Sequence, residues 1–546
     1  MTRVPAAPSI AGLPPWPPEF VARYVAEGHW SGRTLFDAVY RADPAATAVV
    51  DGAHRLTYAE LLSRADGAAG RLLALGLRPD DRIVVQLTNG WPFVVLTLAC
   101  LRIGVVPVMA LPAHGRHELT FIAQHAEARA VVVPGGGKYA GHLDIARDVA
   151  AAAPTVEHVF VDDVQGLREL CAPAAEPLDA AAPSSRDIAL MLLSGGTTGL
   201  PKLIARAHDD YGCYVRRFGE VNRLGASSAF LAVLPMGHSL PFGLTLATLQ
   251  HGGTVVIGGS PAPAKAFAVI EAERVTHTAL VPAIAQSWLS YRTTEAGHDL
   301  SSMRLLLVGG ARLPDEIADR FVPALTAALQ QGYGMAEGLV CLTDPDDPAD
   351  VVEHTQGRPI TSADELRLVD EDGRALTDGT PGELLTRGPC TPRGYYRADE
   401  HNERAFVDGW LRTGDIVRIR PDGNIVVEGR QKDMINRGGE KVSAEEVENF
   451  AYQLPGVRLA AAVAMPDPEL GERVCLYVTA AAQVALDDVV AVMDRAGAAR
   501  YKLPERLVVL DTLPVTNVGK IDKKALRADI AARLELELDT SATLAR

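Results

Sequence analysis

The sequence lacks the patterns that mark disulfide-linked, metal-cluster and membrane-spanning proteins. Its six cysteines are scattered through 546 residues without a C-x-x-C pair, so neither disulfide nor metal-ligand spacing is present. We therefore expect the cysteines to be small buried hydrophobes in a reducing, cytoplasmic setting. The most apolar run, residues 93–111, is interrupted by Arg102, Gly104 and Pro107. That run is too broken to cross a bilayer.

An excess of positive charge is also missing. The chain has 53 lysines and arginines against 68 aspartates and glutamates, a formal net charge of −15. Nucleic acids and anionic membranes attract basic surfaces, so neither is an expected partner. The proline-rich start of the chain contains no apolar segment of the kind found in secretory signals. The length exceeds what one hydrophobic core supports, which predicts at least two domains.

Short apolar runs alternate with helical segments from residue 80 to about residue 310. A helix is expected at residues 91–102, between two of these runs. Strands buried on both faces and joined by helices predict α/β layers with largely parallel sheets, and ligands then bind at loops that follow the strand ends. The predicted strands are residues 82–87, 105–111, 130–134, 187–193, 229–235, 254–259 and 303–310.

The pattern changes twice in the last third of the chain. Residues 364–430 alternate polar and apolar positions around Asp-Gly turns, which is typical of a small antiparallel or barrel-like unit. Beyond residue 430, Ser443 and Glu446 have the spacing of a helix-capping box. Strands, a helix at 486–496 and a last helix follow. We expect a domain boundary at Lys432, between an N-terminal domain (1–431) and an α+β domain (432–546).

A glycine-rich segment, LLSGGTTGLPK, follows the strand predicted at 187–193. Its small residues let backbone amides approach a polyphosphate, while two threonines add hydroxyl donors and Lys202 adds a positive charge. The segment is not the P-loop of NTPases, because the lysine falls three residues after Gly199 with Pro201 between. A phosphate-binding loop is the functional interpretation, and a plain glycine-rich surface loop is the alternative.

Four further positions could carry nucleotide chemistry. In QQGYGMAEG, the aromatic face of Tyr333 suits an adenine and the carboxylate of Glu337 suits Mg²⁺ bridging phosphates. Asp415 is expected at a turn ahead of a strand, where it could accept both hydroxyls of a ribose. Lys520 falls in a turn before the last helix. Taken singly, each of these could equally be a solvated surface residue or a structural one.

Together, the motifs from Leu192 to Lys520 resemble the adenylate-forming superfamily. Stretches such as SGGTTGLPKLIARAHDDY, GMAEGLV and INRGGEKVSAEEVEN resemble the stand-alone aryl-acid adenylating enzymes, which include 2,3-dihydroxybenzoate-AMP and salicylate-AMP ligases. The resemblance implies a large N-terminal domain of two α/β subdomains and a small β-barrel-like subdomain, with a smaller mobile α+β C-terminal domain. It also implies ATP and Mg²⁺ as cofactors.

The resemblance assigns roles by position. It implies that Lys520, Glu337 and His238 are catalytic, that Glu337 is the Mg²⁺ ligand and that Lys432 is the hinge. The loop for the thiol-transfer step would contain Gly438, Gly439 and Lys441. The implied ATP-binding residues are Ser194, Gly195, Gly196, Thr197, Thr198, Gly199, Lys202, Gly310, Ala311, Tyr333, Gly334, Met335, Asp415 and Arg430.

In the segment LPMGHSLPFGLT, a histidine and a serine lie between a predicted strand and a Pro-Phe-Gly turn expected at Pro241. The resemblance also implies an acid pocket around this segment. In it, Ser239 follows His238 where the familiar catechol and salicylate enzymes have an asparagine. A serine can accept a hydrogen bond from an ortho amino group, so anthranilate and 3-hydroxyanthranilate compete with 2,3-dihydroxybenzoate and salicylate. Alternatively, Ser239 only repacks and a water restores the usual contact. The implied pocket residues are His238, Ser239, Leu240, Leu244, Gly309, Gly332 and Val340, with Gly332 and Val340 expected to leave room for a ring substituent.

Two molecules are candidates for the acceptor of the activated aryl group. The resemblance implies transfer to the phosphopantetheine thiol of an aryl carrier protein, in the biosynthesis of siderophores or other natural products. Free coenzyme A is the alternative, because aryl-CoA ligases share every ATP motif above. A non-catalytic adenylate-binding scaffold is a third reading, and the joint presence of Lys202, Glu337, Asp415 and Lys520 argues against it.

Overall fold

A computed structural model describes most of the chain. The described residues are 13–39, 43–194, 200–294, 297–325, 328–370, 372–377, 379–437, 440–468, 470–496, 498, 500–516 and 520–544.

Helices and strands alternate through the first part of the chain, and strands dominate the later part. The helices are α1 (Pro18–Ala26), α2 (Leu35–Val39), α3 (Tyr58–Ala74), α4 (Trp91–Ile103), α5 (Arg116–His125), α6 (His142–Ala152), α7 (Leu167–Leu170), α8 (His208–Val221), α9 (Ser239–Gln250), α10 (Pro263–Glu273), α11 (Pro282–Thr294), α12 (Asp315–Ala318), α13 (Phe321–Leu325), α14 (Ala349–His354), α15 (Asp399–Ala405), α16 (Ala444–Tyr452), α17 (Leu486–Arg495) and α18 (Lys523–Leu544).

The strands are β1 (Thr47–Asp51), β2 (His54–Thr57), β3 (Arg82–Gln86), β4 (Val106–Ala110), β5 (Ala128–Pro134), β6 (His158–Asp162), β7 (Ile188–Leu193), β8 (Leu203–Ala207), β9 (Ala229–Ala232), β10 (Thr254–Ile257), β11 (His277–Leu280), β12 (Leu305–Gly309), β13 (Ala328–Gly334), β14 (Val340–Leu342), β15 (Arg358–Pro359), β16 (Glu365–Val369), β17 (Ala375–Leu376), β18 (Gly382–Arg387), β19 (Phe406–Val407), β20 (Trp410–Ile419), β21 (Ile425–Arg430), β22 (Ile435–Arg437), β23 (Glu440–Val442), β24 (Val457–Asp467), β25 (Gly471–Ala480) and β26 (Arg506–Val509).

Two large sheets form the α/β part of the molecule. The first has six strands in the order β6-β5-β3-β4-β7-β8, all parallel except the β7–β8 hairpin. The second has nine strands in the order β15-β14-β13-β12-β11-β9-β10-β1-β2, and its centre is parallel. Their strands are mostly apolar because helices cover both faces of each sheet. One of these helices is α4, in which almost every residue is buried. The predicted α/β layers are confirmed.

Two smaller units follow. Strands β16 to β21 form an antiparallel sheet in the order β17-β16-β18-β20-β19, with β21 paired to β20. The last unit has the order β23-β22-β25-β24 with β26 beside β25, and α16 and α18 pack on β24. Ser443 caps α16 by accepting a hydrogen bond from the backbone N–H of Glu446. These units confirm the predicted barrel-like subdomain and the smaller α+β domain.

Two local expectations were wrong. Asp415 does not precede a strand but lies inside β20, where Gly414 has a φ of +70° and the pairing with β18 is irregular. The expected turn around Pro241 is instead the beginning of α9, which starts at Ser239. A proline fits the first helical turn because its missing N–H would have no intrahelical partner there.

All six cysteines are buried and unlinked, as expected from their spacing. Among the described residues, no helix combines the length and the apolar character that a membrane span requires.

Candidate active site

Lys520, from the last domain, lies at the carboxyl end of β12 in the nine-stranded sheet. Gly310 follows β12 directly and has a φ of +86°, a conformation that favours glycine. A Cβ atom added at Gly310 would lie 3.7 Å from Cε and 3.9 Å from Nζ of Lys520. The backbone N–H of Lys520 donates to the Thr516 hydroxyl, and the Thr516 N–H donates to the carbonyl of Lys520. The structure therefore brings the predicted catalytic lysine against Gly310, one of the predicted ATP-binding residues.

His238 lies close enough to Lys520 for its pKa to respond to that charge. It is the residue directly before α9. Its Nε2 atom is buried and has no hydrogen-bond partner among the described residues. Burial is the main cause that lowers the pKa of His238 to about 4, and the charges of Lys520 and His114 lower it further. The imidazole is therefore neutral at pH 7. A buried, unpartnered ring nitrogen beside an ammonium group suits a carboxylate or acyl phosphate ligand.

The predicted phosphate loop lies between β7 and β8 in the sequence. The backbone N–H of Ser194 donates to the carbonyl of Lys202 at 3.0 Å, and the N–H of Lys202 donates to the Ser194 hydroxyl at 3.1 Å. These bonds close the base of the loop. The predicted phosphate ligands Gly195, Gly196, Thr197, Thr198 and Gly199 lie outside the described residues.

Glu337 is held in a tight turn after β13. The N–H of Gly338 donates to the carbonyl of Met335, and Tyr395 Oη donates to Glu337 Oε1 at 2.8 Å. The ammonium group of Lys202 lies 5.7 Å from the centre of the Tyr395 ring. Burial, followed by the charge of Glu337, raises the pKa of Tyr395, so the phenol stays a donor. Tyr395 was not among the residues predicted for the site.

Arg206 supports this turn from behind and was also missed. Its guanidinium is buried and bonds to Asp210 at 2.6 Å. The same group donates to the carbonyl of Ala336 at 2.8 Å and to that of Cys390 at 2.7 Å. Arginine suits this position because its planar fork of donors reaches several acceptors at once. Both neighbours of the predicted metal ligand are thereby fixed, since Gly338 packs against the carbonyl of Cys390.

Asp415, Tyr333 and Arg430 form a second polar group. Tyr333 Oη donates to Asp415 Oδ2 at 2.7 Å, and Arg430 Nε lies 3.0 Å from Asp415 Oδ1. Strand β20 presents Asp415, while β21, its neighbour, ends at Arg430. Each carboxylate oxygen can accept a further hydrogen bond. The structure thus brings together three residues that were all predicted to contact ATP, with Tyr333 lying 82 positions from Asp415 in the sequence. Gly334, Met335 and Ala311 lie on the adjoining segments.

Behind the predicted acid pocket, two tyrosines contact Ser239. The phenols of Tyr211 and Tyr214 donate to the Ser239 carbonyl at 3.5 and 3.4 Å. Burial raises the pKa of both phenols, and a hydrogen bond with the Ser239 side chain partly offsets this rise. The two phenols therefore hold the backbone of Ser239 at the start of α9. Leu244, one turn along α9, is buried in the same hydrophobic cluster.

The expected room at Gly332 is partly filled by another side chain, which corrects that expectation. Gly332 pairs with Gly309 on one side and with Leu342 on the other. A Cβ atom added at Gly332 would lie 2.7 Å from Leu342 Cδ2 and 3.3 Å from Leu307 Cδ1. Leu342 thus occupies the space that a side chain at 332 would take. Val340 is buried beside them.

The predicted hinge lies in a short 3-10 turn, Gln431–Asp433, between β21 and β22. Asp433 in this turn forms an ion pair with Arg527 of α18 at 3.1 Å. The predicted thiol-transfer loop is a hairpin of β22 and β23. Gly438 and Gly439 at its tip lie outside the described residues, as do the side chains of Lys432 and Lys441.

The candidate metal ligand is a single carboxylate. Among the described residues, no group of three or more His, Cys, Asp or Glu side chains could hold an ion on its own. Mg²⁺ commonly uses one or two carboxylates together with substrate phosphates. Glu337, oriented by Tyr395 and next to the phosphate loop, fits that type of site.

Comparisons with known proteins agree with this geometry. A family described as AMP-binding enzyme matches residues 36–396, and a family described as AMP-binding enzyme C-terminal domain matches residues 446–520. A 2-hydroxy-7-methoxy-5-methyl-1-naphthoate–CoA ligase from Streptomyces carzinostaticus is 53% identical over 97% of this chain and 99% of its own. A salicylyl-CoA synthase / salicylate adenylyltransferase from a Streptomyces species is 52% identical over 94% of this chain and 97% of its own.

Among solved structures, the apo form of Mycobacterium smegmatis MbtA superposes with a TM-score of 0.73 and 43% identity, over 95% of this chain and 99% of that one. The fold and the site define an adenylate-forming enzyme. More particularly, the chain belongs to the AMP-binding enzyme family and is an aryl-acid AMP ligase.

Proposed function

We propose that the enzyme activates an ortho-hydroxy aryl acid as its acyl adenylate and then transfers the aryl group to the thiol of coenzyme A. The observation that carries the first half of this proposal is the approach of Lys520 to Gly310, beside the neutral His238. It supports a site where one ammonium group meets both the acid carboxylate and the α-phosphate.

In the first half-reaction, a carboxylate oxygen of the acid attacks the α-phosphorus of ATP. The bond from that phosphorus to the oxygen bridging it to the β-phosphate breaks, and pyrophosphate leaves. Lys520 would stabilise the negative charge that builds up on the α-phosphate, and the Ser194–Lys202 hairpin would hold the departing pyrophosphate. Mg²⁺ held by Glu337 would neutralise phosphate charge.

Two of the polar groups described above would orient the substrates. Asp415, held by Tyr333 and Arg430, would accept the ribose hydroxyls, and the Tyr333 ring would lie against the adenine. His238 would contact the acid carboxylate with its buried Nε2. Holding both reactants in line lowers the barrier by removing their relative motion before the reaction.

The side chain of Ser239 suits either ortho group, because a hydroxyl can both donate and accept a hydrogen bond. We favour an ortho hydroxyl because the two Streptomyces relatives are named a hydroxynaphthoate ligase and a salicylate adenylyltransferase. Anthranilate and 3-hydroxyanthranilate become the competitors to be tested.

Coenzyme A is proposed as the acceptor because both of these relatives are named for coenzyme A chemistry. In the second half-reaction the thiol sulfur attacks the acyl carbon, a C–S bond forms, and AMP leaves with the bonding electron pair. For this step the C-terminal domain would rotate at Lys432, so that the loop containing Gly438, Gly439 and Lys441 replaces Lys520 at the site.

ATP–pyrophosphate exchange over a panel of acids tests the first half. Salicylate, 2,3-dihydroxybenzoate and 2-hydroxy-1-naphthoate should exceed anthranilate and 3-hydroxyanthranilate by at least about tenfold, because a site that hydrogen-bonds one substituent discriminates strongly against an analogue that leaves its polar groups unpaired. A preference for the amino acids would overturn the ortho-hydroxy assignment. Thioester formation with free coenzyme A, compared with a purified phosphopantetheinylated aryl carrier domain, tests the acceptor. Loading of the carrier domain alone would overturn coenzyme A.

A further inference from the structure

One face of the sheet beneath the proposed acid pocket has a gap in its side chains. Gly309 of β12 and Gly332 of β13 are paired neighbours, so two adjacent positions on this face carry no side chain. A Cβ atom added at Gly309 would lie 3.7 Å from Leu240 Cδ2. Leu240 belongs to the first turn of α9, directly after His238 and Ser239. The gap therefore opens onto the segment proposed to contact the acid.

The far end of this gap is closed by Leu342. Gly332 is paired with Leu342 of β14, so both positions face the same side of the sheet. Leu342 Cδ2 lies 2.7 Å from where a Cβ atom at Gly332 would be, closer than real Cβ contacts come. Leu342 is only 3% exposed. A leucine from one strand thus replaces the missing side chain of the next.

We propose that Leu342 is a specificity-determining residue that limits the size of the aryl ring, and this inference rests on the proposed function. The pocket would run from Lys520 and Gly310 at its mouth, over Gly309, to Leu342 at its floor. The contact that closes the floor is made by the end of a side chain with two rotatable bonds, whereas the glycines leave only backbone on either side. Shortening residue 342 therefore lengthens the pocket without altering the residues proposed to bind ATP.

The test compares two ortho-hydroxy acids that differ by one fused ring. Pyrophosphate exchange with 2-hydroxy-1-naphthoate and with salicylate gives a ratio of kcat/KM for the wild type and for Leu342→Ala. The ratio should rise by at least about tenfold in Leu342→Ala, since a single methylene in an apolar pocket discriminates by about 10–200-fold. Leu342→Val shortens the side chain while suiting a strand, and it provides the same ratio if Leu342→Ala does not fold.

Leu306→Ala is the matched control. Leu306 is a buried leucine of the neighbouring β12, but it packs in the hydrophobic cluster on the opposite face of the sheet. Its truncation removes the same atoms, and it should affect both acids by one common factor. A Gly332→Ala substitution provides the converse test. It should lower the ratio in the wild-type background, because Leu342 is displaced into the pocket, and it should do so less in the Leu342→Ala background.

The outcomes separate the two proposals. If the wild type exchanges with these acids but Leu342→Ala and Leu342→Val lower both by one common factor, as Leu306→Ala should, Leu342 has only a structural role and the inference is overturned. If the wild type supports no exchange with any acid of the panel, the proposed function fails, and this inference fails with it.

Discussion

Replacing Lys520 by alanine should affect two measurable quantities, the rate of adenylation and the pKa of His238. The ammonium group lies beside Gly310, and its charge is one of the causes that lower the pKa of His238. Removing a charge contact that acts in the transition state typically costs about 10²–10³ in rate, or about 2.7–4 kcal/mol. Pyrophosphate exchange should therefore fall by that factor. Thioester formation from supplied aryl-AMP should persist, because the proposed rotation removes Lys520 from the site before the second step.

The pKa of His238 should rise in Lys520→Ala, because a positive neighbour disfavours the imidazolium form and its removal relieves that repulsion. Burial is the larger cause of the lowered value, which is about 4, and the charge of Lys520 is the smaller one. The new pKa should therefore remain below the ordinary value for histidine of about 6.5. An NMR titration of the His238 ring measures it.

The matched control is Lys524→Ala, which removes an exposed lysine four residues along the same segment. It should change neither the exchange rate nor the titration of His238. Two results would refute the reasoning. An unchanged pKa of His238 in Lys520→Ala would mean that Lys520 does not reach the site in solution. An equal loss of both half-reactions would remove the support for a rotating domain.

Two further predictions concern the hydrogen bond to Glu337 and the pH dependence of stability. Tyr395→Phe removes the donor to Glu337. Since hydrogen bonds to charged groups contribute about 1.5–3 kcal/mol, the Mg²⁺ concentration for half-maximal exchange should rise about 10-fold or more. An unchanged Mg²⁺ titration would contradict the role of Tyr395. Burial raises the pKa of Asp364 to about 7. Between about pH 4 and pH 7 the folded state therefore keeps a proton that the unfolded state releases. Stability falls as the pH rises towards 7, because the unfolded state binds fewer protons over this range. Asp364→Asn should gain up to about 2.7 kcal/mol in unfolding free energy relative to the wild type between pH 5 and pH 7. Chemical denaturation at both pH values measures this gain, and a pH-independent difference would rule it out.

Much of the fold could be predicted from the sequence because its signals are local. The apolar runs that predicted β3, β4, β5, β7 and β12 are strands within a few residues of the expected bounds, since strands buried on both faces must be apolar throughout. The two errors arose where local signals conflict with packing. A Thr-Gly-Asp sequence suggests a turn, yet β20 continues through it because β18 and β21 pair on either side.

Part of the candidate site could also be predicted from local signals, and part could not. Lys202, Glu337, Asp415 and Lys520 could be proposed from the sequence because phosphate, metal and ribose chemistry requires particular residue types, and these occur in recognisable short motifs. Tyr395 could not be found, because its role depends on a contact with a residue 58 positions away. Arg206 is similar, with partners 130 and 184 positions distant.

The sequence by itself determined the class of reaction and the broad architecture of this enzyme, because both are encoded in short motifs and in the periodicity of apolar residues. Only the tertiary structure decided how Lys520 meets His238 and how Leu342 fills the space beside Gly332. The physical reason is that close packing joins side chains from separate strands and domains. The volume left between them, which we propose selects the acid, belongs to no single segment of the chain.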